Sequence, residues 1–142
     1  MEQQEKQLLL KDLCSRLPCG VICHTEEGDG YLCSINQTIF GTEYGININP
    51  LKRDYFNHSE TDEQAVKPYL RSMSSMTEEE AKEVCRLENF ENRIICVFPN
   101  NHTYHFTVGD AVINWLNKNH FDYRGLIEKG LALEATEGMY KQ

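Results

Sequence analysis

GVICHTEEGDGYLCSIN, residues 20–36, decides the fold class. Two apolar, β-prone runs, GVICHT and YLCSIN, flank a short acidic stretch whose glycines permit a chain reversal, the pattern of a β-hairpin. With Glu26 to Gly30 as the loop, Cys23 would face Cys33 and Val21 would face Ile35 on one side of the ladder. That register predicts both thiols in the core.

A second hairpin follows from RIICVFPNNHTYHFT, residues 93–107. Placing Pro99, Asn100 and Asn101 in the loop pairs Phe98 with His102, Cys96 with Tyr104 and Ile94 with Phe106. GININP adds a half-buried strand through Ile46 and Ile48, closed by Pro50. VKPYLRSM carries Pro68, which predicts an edge strand or an extended connector. Residues 51–66 lose all periodicity and are expected to form a long mobile loop.

Helices are written between these strands. Leu9, Leu10, Leu13 and Leu17 recur at helical spacing before Pro18, predicting a helix over 5–17 with a polar, frayed start at 1–6. In SSMTEEEAKEVCRLE, Thr77 and Glu80 form the reciprocal capping box, and Glu78 to Glu80 suit the positive end of the helix dipole, so a helix runs over 78–88. Ala81, Val84, Cys85 and Leu87 supply its inner side. Thr107 and Asp110 repeat the cap before the stripe Val108, Ala111, Val112, Trp115, Leu116, giving a helix over 108–118. These elements define an α+β fold in a single domain spanning 1–142: a small antiparallel or mixed sheet built from two hairpins, with about four helices packed on it.

The fourth helix, over 123–129, is expected after HFDYRG. Asn119 and His120 fall where the preceding helix leaves αR geometry, Asp122 can cap the next one, and Gly130 can close it with Leu131 folding back. Arg124 and Glu128 stand four apart and can pair along the surface. Capping chemistry therefore accounts for these residues, yet His120, Asp122, Tyr123 and Arg124 also gather an imidazole, a carboxylate, a phenol and a guanidinium on one connector. They are the candidate binding residues, and no catalytic residue is assigned.

Other chemistry finds little support. Cys14, Cys19, Cys23, His24 and Cys33 lack the paired spacing of a zinc site, and alternation sends Cys23 and His24 to opposite faces of a strand. His102 and His105 diverge for the same reason. Neither metal nor cofactor is expected. The six cysteines read as reduced thiols, with Cys19, between Pro18 and Gly20, the one expected to be accessible. No nucleotide-binding glycine loop or G-x-S-x-G elbow is present.

A net charge of −8 disfavours nucleic acid, whose binding draws its strength from lysine and arginine displacing condensed cations. Hydrophobic residues at 40% and charged residues at 25% fit a folded globular chain. MEQQEKQLLLKDL lacks the apolar run of a secretory signal, and no stretch approaches a membrane span, so a cytoplasmic protein without a membrane partner is expected.

KPYLRSMSSMTEEE, residues 67–80, and WLNKNHFDYRGLIEKGLALEATEGMY, residues 115–140, resemble a family of small uncharacterised phage and prophage proteins of gut bacteria. The resemblance covers a little over a quarter of the chain, implies a mobile-element origin and an intracellular setting, and transfers no catalytic residue. The expected function is that of a non-enzymatic accessory protein binding a macromolecular partner, most simply a protein. The competing expectations are a small enzyme or ligand-binding domain using the 120–124 connector, and a nucleic-acid-associated regulator using Lys52, Arg53, Lys67, Arg71 and Arg93.

Overall fold

The computed structural model describes residues 3–37, 44–49, 54–56, 66–87, 93–97, 103–107 and 110–140. The fold is α+β. By internal contacts the chain divides into two compact units, one of Met1–Tyr69 with Arg124–Glu134, the other of Leu70–Tyr123 with Ala135–Gln142.

The first unit opens with α1 (Gln3–Arg16), then β1 (Ile22–Thr25), β2 (Gly28–Gln37), β3 (Tyr44–Asn49), β4 (Asp54–Phe56) and β5 (Lys67–Leu70), with β8 (Leu133–Glu134) returning late in the chain. Among the described residues they form a six-stranded sheet in the order β4-β3-β2-β1-β5-β8. The ladders β1–β2, β1–β5, β2–β3 and β3–β4 are antiparallel. Alternation sets the faces: Cys23, Thr25, Gly30, Leu32, Ile46 and Ile48 are buried, while His24, Asp29, Tyr31 and Asn49 are exposed.

The first hairpin turns more tightly than its sequence suggests. Cys23 pairs with Gly30 and Thr25 with Gly28, so only Glu26 and Glu27 make the turn, and Cys23 does not face Cys33. The Thr25 hydroxyl organises the reversal, accepting from Glu27 N–H at 3.2 Å and donating to the Gly28 carbonyl at 2.8 Å. Gly30 is needed elsewhere: a Cβ there would lie 2.6 Å from both the Asn49 carbonyl oxygen and Ile48 Cγ2. The β2–β3 register shifts between Leu32 and Ser34, and Cys33 is exposed.

Helix α1 begins at Gln3, inside the segment expected to fray, because Lys6 falls on the same buried stripe as Leu9, Leu13 and Arg16. Leu10 and Leu17 are only half-buried. Asp54–Phe56 lie within the stretch expected to be a mobile loop, yet they pair with Gly45, Ile46 and Asn47 as β4; 57–65 lie outside the described residues. Pro68 is not on the edge of the sheet, since β8 takes that place, and its ladder with β1 is limited to Cys23↔Pro68 and His24↔Lys67.

The second unit contains α2 (Glu78–Cys85), the hairpin β6 (Arg93–Val97) and β7 (Thr103–Thr107), and α3 (Asp110–Lys118). The hairpin adopts the expected register, with Cys96↔Tyr104 and Ile94↔Phe106; Phe98 and His102 lie outside the described residues. Met76, Ala81, Val84, Val112, Trp115, Leu116 and Phe121 form the core of this unit. Ala111, expected on the apolar stripe, is exposed, and Val108 lies outside the described residues.

Three α-helices, not four, are present among the described residues. Residues 123–129 form no helix, because Gly125 sits at φ +74° within them, a left-handed position that interrupts αR geometry. Only the closing turn survives: Gly130 is left-handed at φ +73°, and Leu131 N–H donates to the Leu126 carbonyl at 3.0 Å.

Candidate functional site

Helix α3 places the first of the candidate residues. Its last turn closes as a Schellman motif: Phe121 N–H donates to the Leu116 carbonyl at 2.9 Å and His120 N–H to that of Asn117 at 3.1 Å. The left-handed residue is His120, at φ +64°, in place of Asn119, whose side-chain amide instead donates to the Trp115 carbonyl. The buried His120 imidazole stacks on Tyr140 with ring centroids 3.6 Å apart. Phe121 stacks on Trp115 at 5.7 Å.

Each of the other candidates has its own partner. Asp122 is buried and caps no helix; its N–H donates to the Arg71 carbonyl at 2.8 Å. The Tyr123 hydroxyl donates to Asn117 Oδ1 at 2.9 Å. Arg124 belongs to the first unit, where it donates to Asp12 Oδ1 at 2.7 Å and to the Ser15 hydroxyl at 3.2 Å, so the expected pairing with Glu128 is replaced. Arg16 takes the other Asp12 oxygen at 2.8 Å, leaving one wholly buried carboxylate between two guanidinium groups.

Arg71 was one scattered cation in the sequence; within the second unit it is a hub. Its Nη1 and Nη2 donate to the two carboxylate oxygens of Glu80, both at 2.7 Å, and its guanidinium lies 4.2 Å over the Phe121 ring. Its backbone bonds to His120 and Asp122 on either side of Phe121. Glu80 completes the expected capping box, accepting from Thr77 N–H at 3.1 Å while Glu80 N–H donates to the Thr77 hydroxyl at 3.2 Å. Burial alone would raise the Glu80 pKa, but the bonds from Arg71 and Thr77 outweigh it and hold the carboxyl below its usual range.

Beside this pair lies a groove of about 650 Å³, lined by Arg71, Ser75, Thr77, Glu80 and residues 135–140. Its volume is that of a small-molecule site. Arg71 and Glu80 neutralise each other, and Glu137 adds a second carboxylate to the lining.

A third cluster stands on the exposed face of the sheet. His24 Nδ1 and Asp29 Oδ1 are 2.8 Å apart, and the Tyr69 hydroxyl reaches Asp29 at 3.3 Å and His24 at 3.4 Å. Partial desolvation and the Asp29 carboxylate push the Tyr69 phenol above its usual value. Across the same strands Cys23 is buried, and burial, followed by the charges of Asp12 and Asp29, drives its thiol up to about 12. Cys14 and Cys33 are exposed, and Cys19, expected to be the accessible thiol, is half-buried.

No group of three or more His, Cys, Asp or Glu side chains among the described residues is placed to hold a metal ion. No helix among them is long and apolar enough to cross a membrane. Comparisons with protein-family models, with curated proteins and with solved structures find no match.

Proposed function

We propose that this chain is a non-enzymatic accessory protein of a phage or mobile element that works by binding a macromolecular partner, a protein. One observation supports the reading: among the described residues, the polar side chains of the 120–124 connector and of the Arg71–Glu80 pair are engaged by structural partners. Arg124 holds Asp12, Arg71 holds Glu80, Tyr123 holds Asn117, and His120 stacks on Tyr140. The shifted groups agree with it. Glu80 is pushed down, whereas Tyr69 and Cys23 are pushed up, so each moves away from neutrality, where an acid, base or nucleophile has to be poised. The phage setting is supported by the resemblance of residues 67–80 and 115–140.

The test is affinity capture of the whole chain from prophage-induced cells, followed by size-exclusion chromatography with light scattering. Co-elution of one protein at fixed stoichiometry is expected. A chain that emerges alone from every such preparation overturns the reading.

The groove supports a second reading, a small-ligand-binding domain, because its volume suits one and Tyr140, which lines it, stacks on the candidate residue His120. Thermal-shift screening against a metabolite library decides it. A stabilising hit abolished by Tyr140→Ala would favour this reading over the first.

A further inference from the structure

The outward face of β1, β2 and β5 is composed differently from an ordinary solvated sheet. Ladder pairing sets Tyr31 beside both Ile22 and Asn49, and it sets His24 beside both Asp29 and Lys67. Continuing the β1–β5 register by one residue brings Tyr69 opposite Ile22. The result is one row of Asn49, Tyr31, Ile22 and Tyr69, next to a second row of Asp29, His24 and Lys67. Tyr31 is 55% exposed, the large hydrophobic side chain that stands open among the described residues. Tyrosines flanking an aliphatic side chain, rimmed by charge, is the composition of a protein-recognition surface.

The hydrogen bonds among His24, Asp29 and Tyr69 fix this rim before any partner arrives. Side chains already held need little further ordering on binding, which lowers its entropic cost. Charge then selects the occupant. Glu26 and Glu27 at the hairpin turn and Asp29 beside it are exposed, against Lys67 as the cation of the same strands. Such a face repels phosphate backbones. A second copy of this chain, docked face to face, would set the same carboxylates against one another.

We infer that this face docks a protein segment that presents arginine or lysine beside an apolar side chain. The inference rests on the macromolecule-binding reading above and specifies its partner. The apolar group of the partner covers Ile22 and the edge of Tyr31, while its cation stacks on a tyrosine ring and meets Asp29 and the turn glutamates.

The test is an amide chemical-shift titration of the whole chain with two synthetic peptides, one alternating arginine and leucine, the other alternating glutamate and leucine. The arginine peptide is expected to shift residues of β1, β2 and β5, and the glutamate peptide to shift none. Tyr31→Ala and Asp29→Asn should each weaken binding about tenfold, whereas Glu78→Gln with Glu79→Gln, equally acidic positions on α2, should leave it unchanged. Tyr31 is exposed, so its variant retains the fold. Shifts spread over the whole acidic surface, equal binding of both peptides, or undiminished binding by Tyr31→Ala each overturn the inference. A stoichiometric cellular partner that binds Tyr31→Ala as well as the parent would discard this face and keep the macromolecule-binding reading.

Discussion

The Arg124 guanidinium donates to Asp12 at 2.7 Å across 112 positions of the chain, onto a carboxylate that Arg16 already holds from the next turn of α1. Asp12 and Arg16 are both fully buried, while Arg124 keeps a margin of exposure. Removing the shared anion leaves two cations facing each other in a low-dielectric interior. Asp12→Asn is therefore expected to cost about 3–5 kcal/mol in urea unfolding, and Arg124→Ala, which removes the more accessible cation, about 1–2 kcal/mol. Equal losses from the two would mean that the buried pair with Arg16 contributes nothing.

Glu80 serves two partners, and its variants separate them. Glu80→Gln keeps the reach back to Thr77 N–H and loses the charge facing Arg71; Glu80→Ala loses both, at about 1–2 kcal/mol in total. The folded carboxyl lies below its ordinary value of 4.5, so its contribution is complete above that pH and is lost as pH falls through the folded value. The gap between parent and Glu80→Gln should thus be widest near neutrality and close on acidification. A gap that widens in acid would contradict the pairing.

His120 occupies a left-handed position without being glycine. His120→Gly and His120→Ala both lose the Tyr140 stack, but only alanine must bear the left-handed backbone. The glycine variant should be the more stable of the two by about 1 kcal/mol. Thermal unfolding of the pair reads this difference directly.

Gly30→Ala should disrupt the β2–β3 ladder, because the new methyl meets a backbone oxygen that cannot rotate away. A loss of about 1–3 kcal/mol is expected, with faster amide exchange along β3.

Among Cys14, Cys19, Cys23 and Cys33, thiol labelling of the native protein should reach Cys14 and Cys33 first, Cys19 more slowly, and Cys23 only on unfolding. Mass spectrometry after timed alkylation resolves the order.

Local signals in the sequence proved dependable where chain geometry alone decides the outcome. The Thr77–Glu80 box set the start of α2, and the register expected for β6 and β7 is the one that they adopt. The first hairpin misled because its glycines look like turn residues. Gly28 does serve the reversal, but Gly30 is glycine because β3 passes too close for a side chain. That reason exists only once the sheet is assembled. The same holds for the candidate site. His120, Asp122, Tyr123 and Arg124 are neighbours in the chain, while the partners that claim them come from residues 12, 71, 117 and 140. Spacing rules offered Glu128 to Arg124; tertiary structure supplied Asp12. The exposed row through Tyr31 was illegible for a related reason, since the shifted pairing chooses which strand residues share a face.

The shared Asp12 carboxylate also bears on synthesis at the ribosome. The first unit draws on residues 124–134 for Arg124, Leu126 and Leu131, all of which emerge after residues 70–123 have been translated. A nascent chain halted at Tyr69 carries α1 with its Asp12–Arg16 pair but lacks the second guanidinium and two leucines that are buried in the complete chain. The first unit therefore cannot mature vectorially, and a fragment cut at that point should be captured by chaperones or proteases instead of accumulating as a folded half.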